Sequence, residues 1–280
     1  MSTNLRKFQS LGLALAVALA LALPDASLAQ RAPEQGVKVG NMSFVRKLVS
    51  AESVEQMGEQ QYRQLLQKAN QQGALLLDTN PVVQRVRKIA QDLLPHAAPW
   101  NERTKLWQWE VNVFRSPTIN AFCMPGGKIA FFTGIIDQLR LSDDEVAMIM
   151  GHEIAHALRE HSRERVAKSN LTQYGAVAVS IFLGDAAGQL ANVGGGLYGL
   201  KFGRNDETEA DLVGMEIAAR AGYDPRSGIS LWEKMSQVGK GQPPQWMSTH
   251  PSHATRIDTI RANLPKVMPF YEQAHNAKPR

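Results

Sequence analysis

Two histidines four residues apart, with a glutamate directly after the first, constrain this chain more than any other feature of its sequence: His152-Glu153-Ile154-Ala155-His156. The run follows Ser142-Asp143-Asp144-Glu145, a capping box that leads straight into apolar residues, so a helix is expected from there to about Glu160. On a helix, residues four apart lie on one face, about 6 Å along the axis. Both imidazoles can then reach one Zn²⁺, whose bonds to nitrogen are about 2.0–2.1 Å long. Glu153 sits one step round the helix, beside the metal rather than on it. There it can take a proton from a metal-activated water and pass it to a leaving amine.

A catalytic zinc needs a third protein ligand and an open fourth position. Glu207-Thr208-Glu209-Ala210-Asp211 supplies the candidate on a second helix, expected over Glu207 to Ala221 and closed by Gly222. Glu207 and Asp211 share a face, so Glu207 can ligate while Asp211 orients a ligating histidine through its free ring N–H. Glu209 falls on the far side of the helix from Glu207 and is expected in solvent. The pattern calls for one Zn²⁺ per chain.

The remaining elements follow from local signals. Ser50 to Gln72 reads as a helix stopped by Gly73, and Asn80-Pro81 caps another with Val82, Val86, Ile89, Ala90 and Leu93 as its stripe. Trp107 to Phe114 alternates as a strand. Asn120–Met124 and Lys128–Thr133 form a hairpin about Pro125-Gly126-Gly127. Helices are expected from Asp224-Pro225 to about Val238 and from Pro251 to Leu264. The fold class is α+β, mostly helical, with one small β-sheet and an active-site helix carrying the HExxH motif.

Arg6 and Lys7, the apolar run Leu11–Leu23, Pro24 and Ser27-Leu28-Ala29 read as a signal peptide over residues 1–29. Gln30 follows in place of the cysteine of a lipoprotein, so a cleaved, periplasmic protein is expected. Residues 30–49 read as a flexible lead-in and 50–280 as one domain. One cysteine, Cys123, excludes an internal disulfide framework. A net charge of +5 without a basic run gives no reason to expect nucleic acid as a partner.

The motifs together resemble the gluzincin metallopeptidases of the CAAX-prenyl-protease and HtpX type, and within them the soluble periplasmic BepA- and LoiP-like branch. The resemblance runs from about Ser50 to Leu264. It includes Asn120-Ala121-Phe122, Gly151 to His156, Glu207 to Asp211, Ala221-Gly222-Tyr223-Asp224-Pro225 and Thr249-His250-Pro251. It implies a zincin-like metallopeptidase domain with Glu207 as third zinc ligand and Asp211 beside the first metal histidine. Gly203-Arg204 stands where the family usually has Ser and Arg, no tetratricopeptide repeats follow residue 264, and the membrane spans of the HtpX type are missing.

His250 resembles a family histidine that approaches the metal. Two roles are open to it, a donor to the oxyanion of the tetrahedral intermediate or a latch on the open zinc position. Asn120, Ala121 and Phe122 are the expected substrate rail, an edge strand to which an extended peptide adds by backbone bonds. Cys123 is expected as a small hydrophobe, His161 exposed, and His96, His253 and His275 structural. Residues 174–200 read either as a lid over the cleft or as a Gly-rich loop with a buried helix.

The functional expectation is a zinc metalloendopeptidase of the cell envelope, hydrolysing internal peptide bonds. Its expected substrates, by resemblance, are misfolded or misassembled envelope proteins, with contact to peripheral membrane or outer-membrane assembly machinery. The alternative is a non-proteolytic, chaperone-like envelope assembly factor with its zinc site latched shut.

Overall fold

A computed structural model of the chain describes residues 36–170, 197, 200–238, 244–251 and 255–277. The signal-peptide reading and almost all of the 174–200 segment lie outside the described residues.

Helix α1 spans Ala51–Gln71, capped by the Ser50 hydroxyl accepting from the Ser53 N–H. Helix α2 spans Pro81–Leu93, with the Asn80 side chain accepting from Val82 N–H. The sheet has three strands, β1 Glu110–Phe114, β2 Ala121–Met124 and β3 Lys128–Phe132, in the order β1-β3-β2. β2 and β3 form the expected antiparallel hairpin, and β1 joins β3 in parallel. Gly126 and Gly127 turn the hairpin with φ of 85° and 80°. A Cβ on Gly127 would also meet the Trp109 ring at 2.8 Å, so the turn tolerates no side chain there.

Helix α3 covers Thr133–Gln138, and α4 covers Asp143–Leu158. Both halves of the capping box form: Ser142 Oγ accepts from Glu145 N–H at 3.2 Å, and Glu145 Oε2 accepts from Ser142 N–H at 2.9 Å. Residues 161–170 continue as helix α5. Helices α6 (Arg204–Arg220), α7 (Ser227–Val238), α8 (Gln245–Thr249) and α9 (Thr255–Ala277) follow.

α4 is the centre of the molecule. It packs against α6, the edge strand β2, α2 and α7, and every residue from Glu145 to Leu158 is buried. The crossing with α6 is closest at Gly151 and Gly214. A Cβ on Gly151 would stand 2.6 Å from the Gly214 carbonyl oxygen, and one on Gly214 would stand 2.5 Å from His152 N. Two facing glycines thus bring the two motif-bearing helices into backbone contact.

Three expectations need correction. The first strand begins at Glu110, not Trp107, because Glu102–Leu106 winds as a 3₁₀ turn with Trp107 at its end. Trp107 is held there by donating its indole N–H to Glu55 Oε1 at 2.8 Å. The last helix runs to Ala277 through Pro265 and Pro269. Burial beyond the prolines outweighs the lost backbone bonds: Val267 is fully buried, and Phe270 lies under the Arg220 guanidinium at 3.6 Å. Residues 36–49 are fastened rather than loose. Val37 N–H donates to Glu216 Oε2 at 2.7 Å, Gly36 N–H to Lys266 O, and Arg46 pairs with Glu160 at 2.6 Å. Among the described residues no helix is long and apolar enough to cross a membrane.

Candidate metal centre and active site

His152, Glu153 and His156 project from the middle of α4, and Glu207 and Asp211 from the first two turns of α6. His250 ends α8. Four side chains, His152, His156, Glu207 and His250, each offer one ligand atom, and those atoms lie within 4.8 Å of one another. The Nε2 atoms of His152 and His156 are 3.0 Å apart, and the Glu207 oxygens stand 3.6 and 3.5 Å from them. All four residues are buried.

The hydrogen bonding turns the donor atoms inward. Asp211 Oδ1 accepts from His152 Nδ1 at 3.0 Å, leaving the His152 Nε2 lone pair toward the cluster. His250 Nδ1 lies 3.2 Å from the Trp246 carbonyl, which orients that ring likewise. Glu207 Oε1 and His250 Nε2 are buried without a hydrogen-bond partner. Two orphaned lone-pair atoms beside two converging imidazole nitrogens fit a cation, because each would otherwise be left desolvated and unpaired.

Electrostatics agrees. Burial lowers the pKa of His152 to about 4, only partly opposed by Asp211. Burial and the neighbouring His152 hold His156 and His250 well below the ordinary histidine value. All three rings are therefore neutral, the form that ligates. Burial raises Glu207 to about 9 against the pull of Arg256, and a dication at its free oxygen would favour the carboxylate. Asp211 is pushed up by burial, but the Arg256 guanidinium and the His152 hydrogen bond outweigh this and hold it at about 2.

Glu153 does not belong to the four-atom cluster. Its Oε1 accepts from the Trp246 indole N–H at 2.6 Å and stands 3.6 Å from His250 Nε2. The Cys123 backbone N–H of the sheet edge also donates to it, and burial raises its pKa to about 8. Asn120, Ala121 and Phe122 lie at this edge and are buried. Phe132 N–H donates to Asn120 O, so by antiparallel alternation the backbone groups of Ala121 and Cys123 face away from β3. The neighbouring Ile119 carbonyl is taken by Trp246 N–H at 3.1 Å. The Cys123 thiol is buried, and burial drives its pKa up, as suits a small hydrophobe.

The structure adds residues that the sequence did not offer. Arg256, 1% exposed, donates to Glu207 Oε2 at 2.5 Å and to both oxygens of Asp211 at 2.7 and 2.5 Å. Its guanidinium lies 3.7 Å over the Trp232 ring. Trp246 stacks on His250 at 4.8 Å, and Phe202 stacks on His156 at 4.0 Å.

Two readings are overturned. His161 is buried, not exposed, with Nδ1 2.9 Å from His156 Nδ1. Glu209 is not free in solvent: it accepts from His161 Nε2 at 2.9 Å and from Arg159 at 2.8 Å. Burial pushes the Glu209 carboxyl up, but these two donors outweigh it and hold it below the ordinary value. Both errors have one cause. Helix α4 stops at Leu158, and Glu160, at φ 56°, turns the chain back, so α5 folds His161 against the site instead of carrying it round the surface.

A helix bearing HExxH, a glutamate from a second helix and a sheet edge beside them define a zincin-like metallopeptidase domain. The sequence pattern of peptidase family M48 matches residues 82–264, and the chain belongs to this family. Zinc is the metal these peptidases use, and the His152, His156, Glu207 and His250 cluster could hold it. The chain is 38% identical over 184 residues to mitochondrial metalloendopeptidase OMA1 of Arabidopsis thaliana, covering 65% of this chain and 36% of that protein. To the Homo sapiens metalloendopeptidase OMA1 it is 30% identical over 181 residues, covering 60% and 34%. To the beta-barrel assembly-enhancing protease of Escherichia coli it is 27% identical over 265 residues, covering 89% and 50%. The chain thus spans about a third to a half of the length of these relatives. They include mitochondrial proteins as well as a bacterial one, so the family is established at a coarser level than the periplasmic branch.

Proposed function

We propose that this chain is a zinc-dependent endopeptidase of the cell envelope that acts on misfolded or misassembled envelope proteins. The observation that carries the reading is the convergence of four buried donor atoms beside Glu153. In this proposal His152, His156 and Glu207 hold the zinc, which when bound supplies Lewis-acid polarisation to an attacking water and to the scissile carbonyl.

The chain's own residues do the rest. Trp246 fixes Oε1 of Glu153, so the carboxylate keeps one orientation as it takes the proton of the attacking water and delivers it to the leaving amine. Asp211, itself anchored by Arg256, aims His152. The outward backbone groups of Ala121, in the Asn120–Phe122 rail, hold the substrate extended as one strand added to β2, beside the Cys123 N–H that faces Glu153. The buried ring of His250, its Nε2 pointed inward and unpartnered, latches the resting site, and substrate displaces it.

The alignment with the beta-barrel assembly-enhancing protease over 89% of the chain supports the envelope assignment. So does the signal-peptide pattern of residues 1–29. A periplasmic location and contact with outer-membrane assembly machinery belong to the same proposal. The closed, fully buried cluster favours one second reading, a latched, chaperone-like binder. Mass mapping of an unfolded envelope protein incubated with wild type and with Glu153→Gln separates the two. Internal cleavage by wild type that Glu153→Gln loses supports the peptidase. Binding without cleavage by either supports the binder.

A further inference from the structure

The contacts of His161, Glu209 and Arg159 form a continuous line ending on His156. His156 Nδ1 meets His161 Nδ1 at 2.9 Å, His161 Nε2 meets Glu209 Oε2 at 2.9 Å, and Arg159 Nη2 meets Glu209 Oε1 at 2.8 Å. Arg159 also donates to the Gly40 carbonyl, which ties the end of the line to the 36–49 segment. His161 is 2% exposed and Arg159 8%.

We propose that His161, Glu209 and Arg159 are positioning residues that aim the imidazole of His156 into the metal cluster. The inference rests on the metal-centre reading above. One donor arrangement of the line leaves the His156 Nε2 lone pair free for a metal. A guanidinium keeps its protons, so Glu209 Oε1 accepts from Arg159, and the carboxylate accepts again, at Oε2, from the N–H of His161 Nε2. A neutral imidazole has one ring proton. A metal held at His156 Nε2 leaves that ring its single proton at Nδ1, so in the metal-bound line the His161 Nδ1 2.9 Å away is the acceptor. The lone pair of His156 is then at Nε2, 3.5 Å from Glu207 Oε1 and 3.0 Å from His152 Nε2.

The same task is done for His152 by Asp211 directly, with Arg256 behind it. The two histidines are thus aimed by two carboxylates of α6, each anchored by an arginine. Helix α6 carries Glu207 as well, so one helix supplies the third donor and sets the direction of the other two. The extra histidine spans a distance that Glu209 cannot, since the α4–α5 turn brings His161 between that carboxylate and the His156 ring. Phe202 stacks on the His156 ring at 4.0 Å, and His161 is the partner at Nδ1.

The test uses the full chain, stripped of metal and titrated with zinc alone against a chelating dye, with the melting temperature of the metal-free form measured alongside. His161→Phe fills the space without an acceptor and is expected to weaken zinc binding about 10–100-fold, the usual effect of losing such a partner. His161→Asn, whose Oδ1 can take the place of Nδ1, is expected to recover most of that loss. A merely structural role would lower the metal-free melting temperature in both variants and leave zinc affinity alike in the two. Wild-type affinity in a folded His161→Phe, or equal weakening in Phe and Asn, overturns the proposal. If His161→Phe does not fold, Glu209→Ala decides: about tenfold weaker zinc binding supports the line, and wild-type affinity overturns it. A wild-type chain that takes up no zinc overturns the metal-centre reading itself, a result distinct from any of these.

Discussion

Gly214→Ala tests the reasoning about how the two site helices are held. The new Cβ would stand 2.5 Å from His152 N, 2.6 Å from Gly151 C and 2.9 Å from Gly151 O. Ordinary contacts to carbon lie at about 3.5–4.0 Å, so α4 and α6 must separate by roughly 1 Å. Every listener at this contact is backbone, and none can rotate away. The cost should therefore fall near the top of the range for overpacking, about 3 kcal/mol. Asp211 is one turn and Glu207 two turns from Gly214 on α6, while His152 neighbours the contact on α4. Metal sites hold their distances to about 0.2 Å, so the same displacement should weaken zinc binding at least about tenfold. Urea unfolding of the metal-free chain reads the first effect, and dye competition reads the second. Gly40→Ala is the control, since a Cβ there meets nothing within 4 Å, and it should change stability by less than about 0.5 kcal/mol. Wild-type stability and zinc affinity in Gly214→Ala would refute the account of the crossing.

Two further outcomes follow from the site and its supporting helix. His250→Ala should raise basal cleavage of an unfolded protein, because it removes the ring that closes the cluster; a drop of about 10²–10³ would instead make His250 an oxyanion donor. Glu145→Gln should lower stability at neutral pH by about 1–2 kcal/mol, read by urea unfolding. Burial raises the Glu145 carboxyl, but Lys234, the Ser142 N–H and Ser230 outweigh this and hold its pKa below the ordinary value. Its contribution is then complete above the unfolded value of about 4.3 and is lost as pH falls through the lower folded value. The gap between wild type and Glu145→Gln should close on acidification, and a gap independent of pH would contradict the charge's role.

What the sequence made legible was local. The capping box at Ser142, the HExxH spacing and the glycine turn at Gly126-Gly127 each declare their structure within a few residues. The partner helix of Glu207 and Asp211 could be found because its two acids repeat at helical spacing. Arg256 could not, since its partners lie 45 and 49 residues away and nothing near it marks a buried charge. Trp246 meets Glu153 across 93 residues, from a five-residue helix that no periodicity announces. His161 misled because its position was extrapolated along a helix that had already ended at Leu158. The last helix is expected from its sequence to end at Leu264, but the buried seats of Val267 and Phe270 carry it on through Pro265 and Pro269.

The central claim is that the buried cluster on α4 and α6 is a metal centre with Glu153 beside it and not in it. The most direct measurement is the zinc content of the purified chain, by elemental mass spectrometry, in wild type, Glu153→Gln and Glu207→Ala. About one zinc per chain in wild type and in Glu153→Gln is expected, because the substituted glutamate is not a ligand, with zinc largely lost in Glu207→Ala. Full zinc occupancy in Glu207→Ala, or its loss in a folded Glu153→Gln, would contradict the assignment of the two glutamates.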